Sequence, residues 1–192
     1  MRSVPTVCVF CGSSSGVDPV HRETARELGR SLADRGHRLV YGGGHVGLMG
    51  VVADAALGAG GDVVGVMTEH LVAAEIAHRH LTSLEVVGSM HERKARMAEL
   101  SDGVIVLPGG FGTLDETFEM VTWNQLGLVS SPVVVLDPAG YFGALFEFVR
   151  VAVDAGFVAE THAALLRRAT SVDEAIDLVG TPADGFVPKW LG

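Results

Sequence analysis

The chain has 192 residues, of which 48% are hydrophobic and 19% are charged, and its formal net charge is −9. This composition excludes a disordered chain and suits one compact domain, which we assign to residues 1–192. An acidic chain without a dense block of Lys and Arg is not expected to bind nucleic-acid polymers or membranes, although one Arg and backbone N–H groups can hold a nucleotide phosphate.

Short β-branched runs alternate with helical patterns along the chain. The predicted strands are Thr6–Phe10, Arg38–Tyr41, Asp62–Met67, Leu84–Val87, Gly103–Pro108 and Pro132–Asp137. Helices are predicted near residues 19–35, 46–59, 89–100, 113–126, 140–154 and 172–179. Most of the strand runs are almost entirely apolar, as expected when both faces of a parallel sheet are covered. The order predicts an α/β fold, a Rossmann-like, doubly wound, mostly parallel sheet with helices on both faces.

Glycine-rich turns follow three of the predicted strands. Their sequences are GSSSG at 12–16, GGGHVGLMG at 42–50 and PGGFGT at 108–113. Parallel strands end at one edge of a sheet, where free N–H groups and helix N-termini favour anions. A tight turn would account for any one loop alone, but three at one edge predict a phosphorylated ligand. The predicted contacts in the first two loops are Ser13, with Ser14 as its alternative, Gly43 and Gly44.

The second loop also matches G-x-G-x-x-G through Gly42, Gly44 and Gly47. This fingerprint usually follows the first strand and requires an acidic residue at the end of the next strand. Here it follows the second strand, and the nearest acidic residue, Glu69, lies beyond the next run. Dinucleotide binding, and with it a nicotinamide oxidoreductase, is therefore the minor alternative.

The stretch SMHERKARMAEL predicts a helix with an unusual charge. Ser89 and Glu92 fit a capping box at its start. Met90, Arg93, Met97 and Leu100 share one stripe at about 100° per residue, and Lys94 flanks it. A charge among apolar neighbours needs an anionic partner, which would be a ligand or an internal ion pair; a snorkelling side chain is the other interpretation.

Glu116 follows the PGG loop by one helical turn. Thr113 and Glu116 also have capping-box spacing, so a purely structural role is the alternative. A carboxylate beside a bound sugar phosphate can activate water or attack the anomeric carbon, and it stabilises positive charge on the ring. We expect Glu116 to have this chemical role and Asp115 to interact with the helix dipole.

Neither the cysteines nor the N-terminus indicates export, redox chemistry or a metal. Cys8 and Cys11 are spaced C-x-x-C at the end of a strand, without a second ligand pair, so we expect small buried residues. The histidines, including the His78 and His80 pair, favour surface or packing roles over metal binding. The opening residues lack the apolar core of a signal peptide, and no apolar run could span a membrane. We predict a cytoplasmic protein.

Three segments, GGGHVGLMG, SMHERKARM and PGGFGTLDE, resemble the Lonely Guy (LOG) family of cytokinin riboside 5′-monophosphate phosphoribohydrolases, long mislabelled lysine decarboxylases. The family hallmark, P-G-G-x-G-T-x-x-E, falls on Pro108–Glu116, and the resemblance runs from about Val7 to the helix after Pro132. It implies cleavage of the N-glycosidic bond of adenosine 5′-monophosphates, with or without an N6 substituent, to free base and ribose 5-phosphate.

The resemblance also implies site residues and an assembly. Arg93 and Glu116 would be the catalytic pair, no metal or cofactor would be required, and the protein would be a homodimer. The implied substrate contacts are Met90, Lys94, Gly109, Gly110, Gly112 and Thr113.

Two other functions remain to be weighed. A carrier that binds a phosphorylated ligand such as a molybdenum cofactor would need the glycine loops but not the Arg93 and Glu116 pair. A pyridoxal-phosphate decarboxylase needs a Schiff-base lysine, and the chain offers only Lys94, beside Arg93, and Lys189 near its end. We therefore reject the decarboxylase assignment.

Overall fold

A computed structural model describes residues 5–74 and 76–181. Residues beyond this range include Lys189 and the C-terminal residues that the sequence predicts to pack loosely or against a partner. The elements are, in order, β1 Thr6–Phe10, α1 Pro19–Asp34, β2 Arg38–Tyr41, α2 Gly47–Gly58, β3 Val63–Thr68, α3 Glu69–Ala73, β4 Ser83–Val87, α4 Met90–Glu99, β5 Gly103–Val106, α5 Phe111–Gln125, β6 Val133–Leu136, α6 Gly143–Asp154, α7 Glu160–Ala163, β7 Leu166–Ala169 and α8 Val172–Val179.

The strands form one parallel sheet in the order β4-β3-β2-β1-β5-β6-β7. The chain runs outward from β1 to β4, then crosses to β5 and runs outward on the other side. The α/β, doubly wound prediction is confirmed, and every pairing is parallel. At this reversal the loops after β1 and β5 lie side by side, which is where such sheets bind ligands.

Two apolar layers cover the sheet because successive strand residues face opposite sides. Val7 and Val9 of β1 pack with α1, α2 and α8, whereas Cys8 and Phe10 pack with α4, α5 and α6. Cys11 joins the first layer, and both thiols are free and buried, which confirms the expectation for the two cysteines.

Three elements were not predicted from the sequence. Helices α3 and α7 are too short for a helical period to be recognised. Strand β7 reads LRRA and lies at the edge of the sheet, so only its first and last residues are buried. Its Arg168 donates to the buried Asp137 carboxylate at 2.7 Å. A charged edge strand discourages pairing with other chains and lacks the continuous apolar pattern of the central strands.

Within the described ranges, no helix combines the length and apolar character needed to cross a bilayer. The cytoplasmic location and the assignment of the whole chain to one domain stay predictions.

Candidate active site

The three glycine-rich loops touch one another at the carboxyl edge of the sheet. The N–H of Gly12 donates to the Pro108 carbonyl at 3.0 Å, and the N–H of Leu48 donates to the Gly12 carbonyl at 3.1 Å. Gly47 has φ of +60°, and a Cβ built there would lie 2.2 Å from the carbonyl carbon of Ser13. Only a glycine allows both the backbone angle and this approach.

Helix α4 brings Arg93 beneath these loops. It begins with the predicted capping box, in which Ser89 Oγ accepts from the Glu92 N–H at 3.2 Å and the Glu92 carboxylate accepts from the Ser89 N–H at 3.2 Å. Arg93 is 6% exposed, and its Nε donates to the Val66 carbonyl at 2.8 Å. The predicted anionic partner of Arg93 is Glu116, whose Oε1 lies 2.8 Å from Nη1.

Gly42 provides the space that the guanidinium needs. A Cβ at this residue would lie 2.2 Å from Arg93 Nη2. The first glycine of the apparent dinucleotide fingerprint therefore makes room for a side chain of the protein itself, which disfavours the oxidoreductase alternative.

Helix α5 presents Glu116 from the other side. The helix begins at Phe111, with Gly110 as the N-cap and no side-chain cap, two residues before the predicted start. Thr113 and Glu116 thus lie inside the helix, and the capping-box interpretation of this pair is wrong. The Glu116 side chain, 12% exposed, points instead to Arg93.

The electrostatic environment of Glu116 is that of a buried carboxylate with one partner. Burial raises the pKa of the Glu116 carboxyl above its ordinary value, while the charge and hydrogen bond of Arg93 oppose that rise. A carboxylate with a raised pKa is a stronger base, and the arginine fixes its orientation. This combination suits proton abstraction or nucleophilic attack close to neutral pH.

A cavity of about 270 Å³ opens in front of the pair, and Arg93 and Glu116 both line it. The predicted substrate contacts Ser13, Gly110, Gly112 and Thr113 also belong to its wall. The N–H groups in the first turn of α5 lack intrahelical partners and carry the positive end of the helix dipole. The cavity therefore offers an anion site and a carboxylate within one enclosure.

A second cavity, of about 540 Å³, adjoins the first through the shared residues Gly12, Ser13 and Gly110. Gly109 lies on its wall, as do Ser14, His21 and Tyr141. The two cavities together follow the edge of the sheet from the Arg93 and Glu116 pair to the loop before α6.

Four predicted contacts lie away from these walls. Gly43 and Gly44 are buried beneath the loop and bond to the segment at 77–78, through the Gly43 carbonyl at 2.8 Å from the His78 N–H and a bridge between Gly44 and Ala77. Met90, the first residue of α4, is exposed. Direct substrate contact by these residues and by Lys94 stays a prediction.

Lys94 is held by two carboxylates of α5. Its Nζ lies 3.1 Å from Asp115 Oδ2 and 2.7 Å from Glu119 Oε2. Burial works against the charged form, but the hydrogen bonds from Glu119 and Asp115 raise the pKa of Lys94 above its ordinary value. Asp115, expected to serve the helix dipole, is an ion-pair partner.

The sequence did not identify several residues of the two walls as parts of a site. They are Cys11, Gly42, Met49, Phe111 and Tyr141. Phe111 occupies the variable position of the PGGxGT segment and is almost fully exposed, so its place in that motif was an available signal. Tyr141 has no local signal because its partner, Gly109, is 32 residues away.

Histidines have packing partners away from the cavities described above. His78 Nε2 lies 3.0 Å from Asp54 Oδ1, and His45 Nδ1 lies 3.0 Å from the Ile76 carbonyl. Across residues 5–74 and 76–181, no three His, Cys, Asp or Glu side chains are grouped to hold a metal ion.

A protein-family model described as "Possible lysine decarboxylase" matches residues 49–179. The chain is 42% identical over 183 residues to cytokinin riboside 5′-monophosphate phosphoribohydrolase LOG1 of Arabidopsis thaliana, covering 95% of this chain and 84% of the relative. It is 49% identical over 156 residues to the probable enzyme of the same name, LOGL9, of Oryza sativa subsp. japonica, covering 81% and 69%.

Among solved structures, the molybdenum cofactor carrier protein of Chlamydomonas reinhardtii matches with a TM-score of 0.68. The two sequences are 24% identical, and the match covers 92% of this chain and 96% of the carrier. At this identity the likeness shows a common fold. The level and extent of identity to the plant proteins, together with the family match, establish that this chain belongs to the LOG family of cytokinin riboside 5′-monophosphate phosphoribohydrolases.

Proposed function

We propose that the protein hydrolyses the N-glycosidic bond of adenosine-type nucleoside 5′-monophosphates, with or without an N6 substituent, releasing free base and ribose 5-phosphate. One observation carries this proposal: a buried Arg93 and Glu116 pair lines a cavity bounded by three glycine-rich turns. The relatives at 42% and 49% identity bear the name of this activity.

In the proposed complex the 5′-phosphate occupies the N-terminal end of α5. The unpaired N–H groups of the first turn, at Phe111, Gly112 and Thr113, would donate to its oxygens. Ser13 lies on the same wall and would add a hydroxyl donor. An acidic protein can hold one phosphate in this way because peptide dipoles replace the missing cationic side chains.

Glu116 would then act on the sugar. In one route the carboxylate removes a proton from water as the water oxygen bonds to C1′ of the ribose. In the other, the carboxylate itself bonds to C1′, and water later displaces it. In both routes the C1′–N9 bond breaks, its electrons leave with the base, and the base takes up a proton. The negative charge of Glu116 stabilises the positive charge that develops on the ring.

Arg93 would keep the carboxylate in position. Its Nε is fixed by the Val66 carbonyl of β3, so that Nη1 reaches Glu116 at 2.8 Å from a rigid strand. A side chain anchored at both ends loses little further freedom when substrate binds, and preorganisation of this kind lowers the activation barrier.

Incubation with AMP, followed by chromatography for adenine and ribose 5-phosphate, tests the proposal. We expect both products in equal amounts, and comparison of AMP with its isopentenyl derivative will define the preferred N6 substituent. Glu116→Gln should bind AMP but release no adenine. Turnover retained in Glu116→Gln would remove Glu116 from the mechanism, and the absence of adenine with the unmodified protein would reject the activity.

The alternatives make different predictions. A carrier of a phosphorylated ligand would use the loops, but it gives no reason to bury Arg93 and Glu116 on the cavity wall. A dinucleotide-dependent oxidoreductase would bind a nicotinamide dinucleotide, which a fluorescence titration detects. A pyridoxal-phosphate decarboxylase requires a neutral lysine amine, whereas the two carboxylates beside Lys94 favour its charged form.

We also propose a homodimer. Phe118 of α5 and the following Leu126 and Leu128 are exposed apolar side chains, while Trp123 packs against the apolar layer beneath them. Contiguous apolar surface of this kind is typical of interfaces. Light scattering after size-exclusion chromatography should give the mass of two chains, and a mass of one chain would contradict the assignment.

A further inference from the structure

Tyr141 reaches the glycine loop from the segment between β6 and α6. Its hydroxyl donates to the Gly109 carbonyl at 2.7 Å. Its ring makes edge contacts with His21, at 5.7 Å between centroids, and with Phe142, at 4.9 Å. Phe142 is buried, and its N–H donates to the Asp137 carboxylate at 3.3 Å. The half-exposed tyrosine is therefore held in place by buried neighbours at the end of β6.

The Gly109 carbonyl belongs to the peptide unit that joins Gly109 to Gly110. In a trans peptide the carbonyl and the following N–H point in opposite directions. A hydrogen bond that fixes the Gly109 carbonyl therefore also fixes the direction of the Gly110 N–H, away from Tyr141. Gly110 is the N-cap of α5 and lines both cavities.

This peptide unit has little other restraint on its Gly110 side. A Cβ at Gly109 would lie 2.0 Å from Thr113 Oγ1, so Gly109 is tightly enclosed, whereas a Cβ at Gly110 would meet nothing within 4 Å. Two consecutive glycines give the backbone unusual rotational freedom. Tyr141 thus acts where the loop is most able to rotate.

We propose that Tyr141 is a positioning residue that directs the Gly110 N–H towards the substrate phosphate. This inference rests on the proposed function. Tyr141 does not contact the reacting atoms; it acts through the Gly109–Gly110 peptide. Removal of its hydroxyl should weaken the binding of phosphate-bearing ligands specifically.

Tyr141→Phe tests the proposal, because it removes the hydroxyl and keeps the ring contacts. Tyr41→Phe is the matched control: Tyr41 is the other of the two tyrosines, and its buried hydroxyl has no hydrogen-bond partner within the described structure. Calorimetry with ribose 5-phosphate and with adenosine measures the affinity of each variant without requiring turnover. Circular dichroism verifies that each variant is folded.

Tyr141→Phe should weaken ribose 5-phosphate binding by about 3- to 10-fold and leave adenosine binding within about twofold, since one oriented hydrogen bond is affected. In turnover of AMP, KM should rise by a similar factor while kcat changes by less than about twofold. Tyr41→Phe should match the unmodified protein in all these measurements.

Unchanged ribose 5-phosphate affinity in Tyr141→Phe would overturn the proposal, as would an equal loss of ribose 5-phosphate and adenosine binding. Failure of the proposed function would look different. The unmodified protein would then bind ribose 5-phosphate but release no adenine from AMP, and the affinity comparison would still decide the role of Tyr141.

Discussion

Arg93 and Glu116 lie on different helices, 23 residues apart in sequence, and their side chains meet at 2.8 Å between Nη1 and Oε1. Each is almost buried, with side-chain exposures of 8% and 12%. Neither charge would be stable at this depth without the other. The pair therefore joins the crossover before β5 to the crossover after it, at the cavity where chemistry is proposed.

Arg93→Met should destabilise the protein because it leaves the Glu116 carboxylate buried without a partner. Loss of one member of a buried pair costs about 3–5 kcal/mol, and we expect a decrease of this order in the free energy of unfolding by urea at pH 7. The double variant Arg93→Met with Glu116→Gln should recover part of it.

Arg96→Met is the control for that measurement. Arg96 lies on the same helix, is 40% exposed and pairs with Glu85 and Glu99 at the surface. Its replacement should cost no more than about 1 kcal/mol. Equal unfolding free energies for the Arg93 and Arg96 variants would show that the buried pair has no special energetic role.

The activity should depend on pH through Glu116. Because burial raises the pKa of this carboxyl, the form that can accept a proton or attack C1′ is lost as the pH falls through a value above the ordinary one of about 4.3. The acidic limb of kcat/KM against pH should therefore lie above that value. A limb at or below it would mean that Arg93 outweighs burial, or that another group titrates.

Gly112→Ala should separate binding from folding. Gly112 lines the cavity, and a Cβ there would meet no protein atom within 4 Å, so the fold should accept the methyl group. If the substrate phosphate occupies this space, KM for AMP should rise by about tenfold or more.

Gly143→Ala provides the comparison for Gly112→Ala. Gly143 is the first residue of α6, and a Cβ there also meets nothing within 4 Å. Both variants should unfold at or slightly above the temperature of the unmodified protein, because Ala favours a helix more than Gly does. An unchanged KM for Gly112→Ala would place the phosphate elsewhere.

Cys8 and Cys11 should be unreactive in the native protein. Both are buried, and burial is the main reason why the pKa of each thiol is raised, with the Glu116 charge adding to it. Since the thiolate is the reactive form, iodoacetamide should label them more slowly than free cysteine by at least about two orders of magnitude. Labelling followed by mass spectrometry measures this, with urea-unfolded protein as the positive control. Rapid native labelling of Cys11 would contradict its assignment as a structural residue.

Local sequence was sufficient for the features that local physics controls. The apolar runs at β1 and β6 identify strands because a strand covered on both faces has no polar positions. The Ser89 and Glu92 capping box is recognised because its partners lie within one turn. The same reasoning failed at Thr113 and Glu116, where the spacing fits a cap but the helix starts earlier, at Phe111.

The sequence by itself therefore determined the doubly wound sheet, the glycine turns at its edge and the need of Arg93 for an anion. The tertiary structure decided which anion that is, and it also decided that Lys94 pairs with Asp115 and Glu119 and that Tyr141 fixes Gly109. These contacts join residues 21 to 32 positions apart or lie on separate elements. No periodicity or cap encodes them, because strand order and the packing of helices on the sheet set the distance between such side chains.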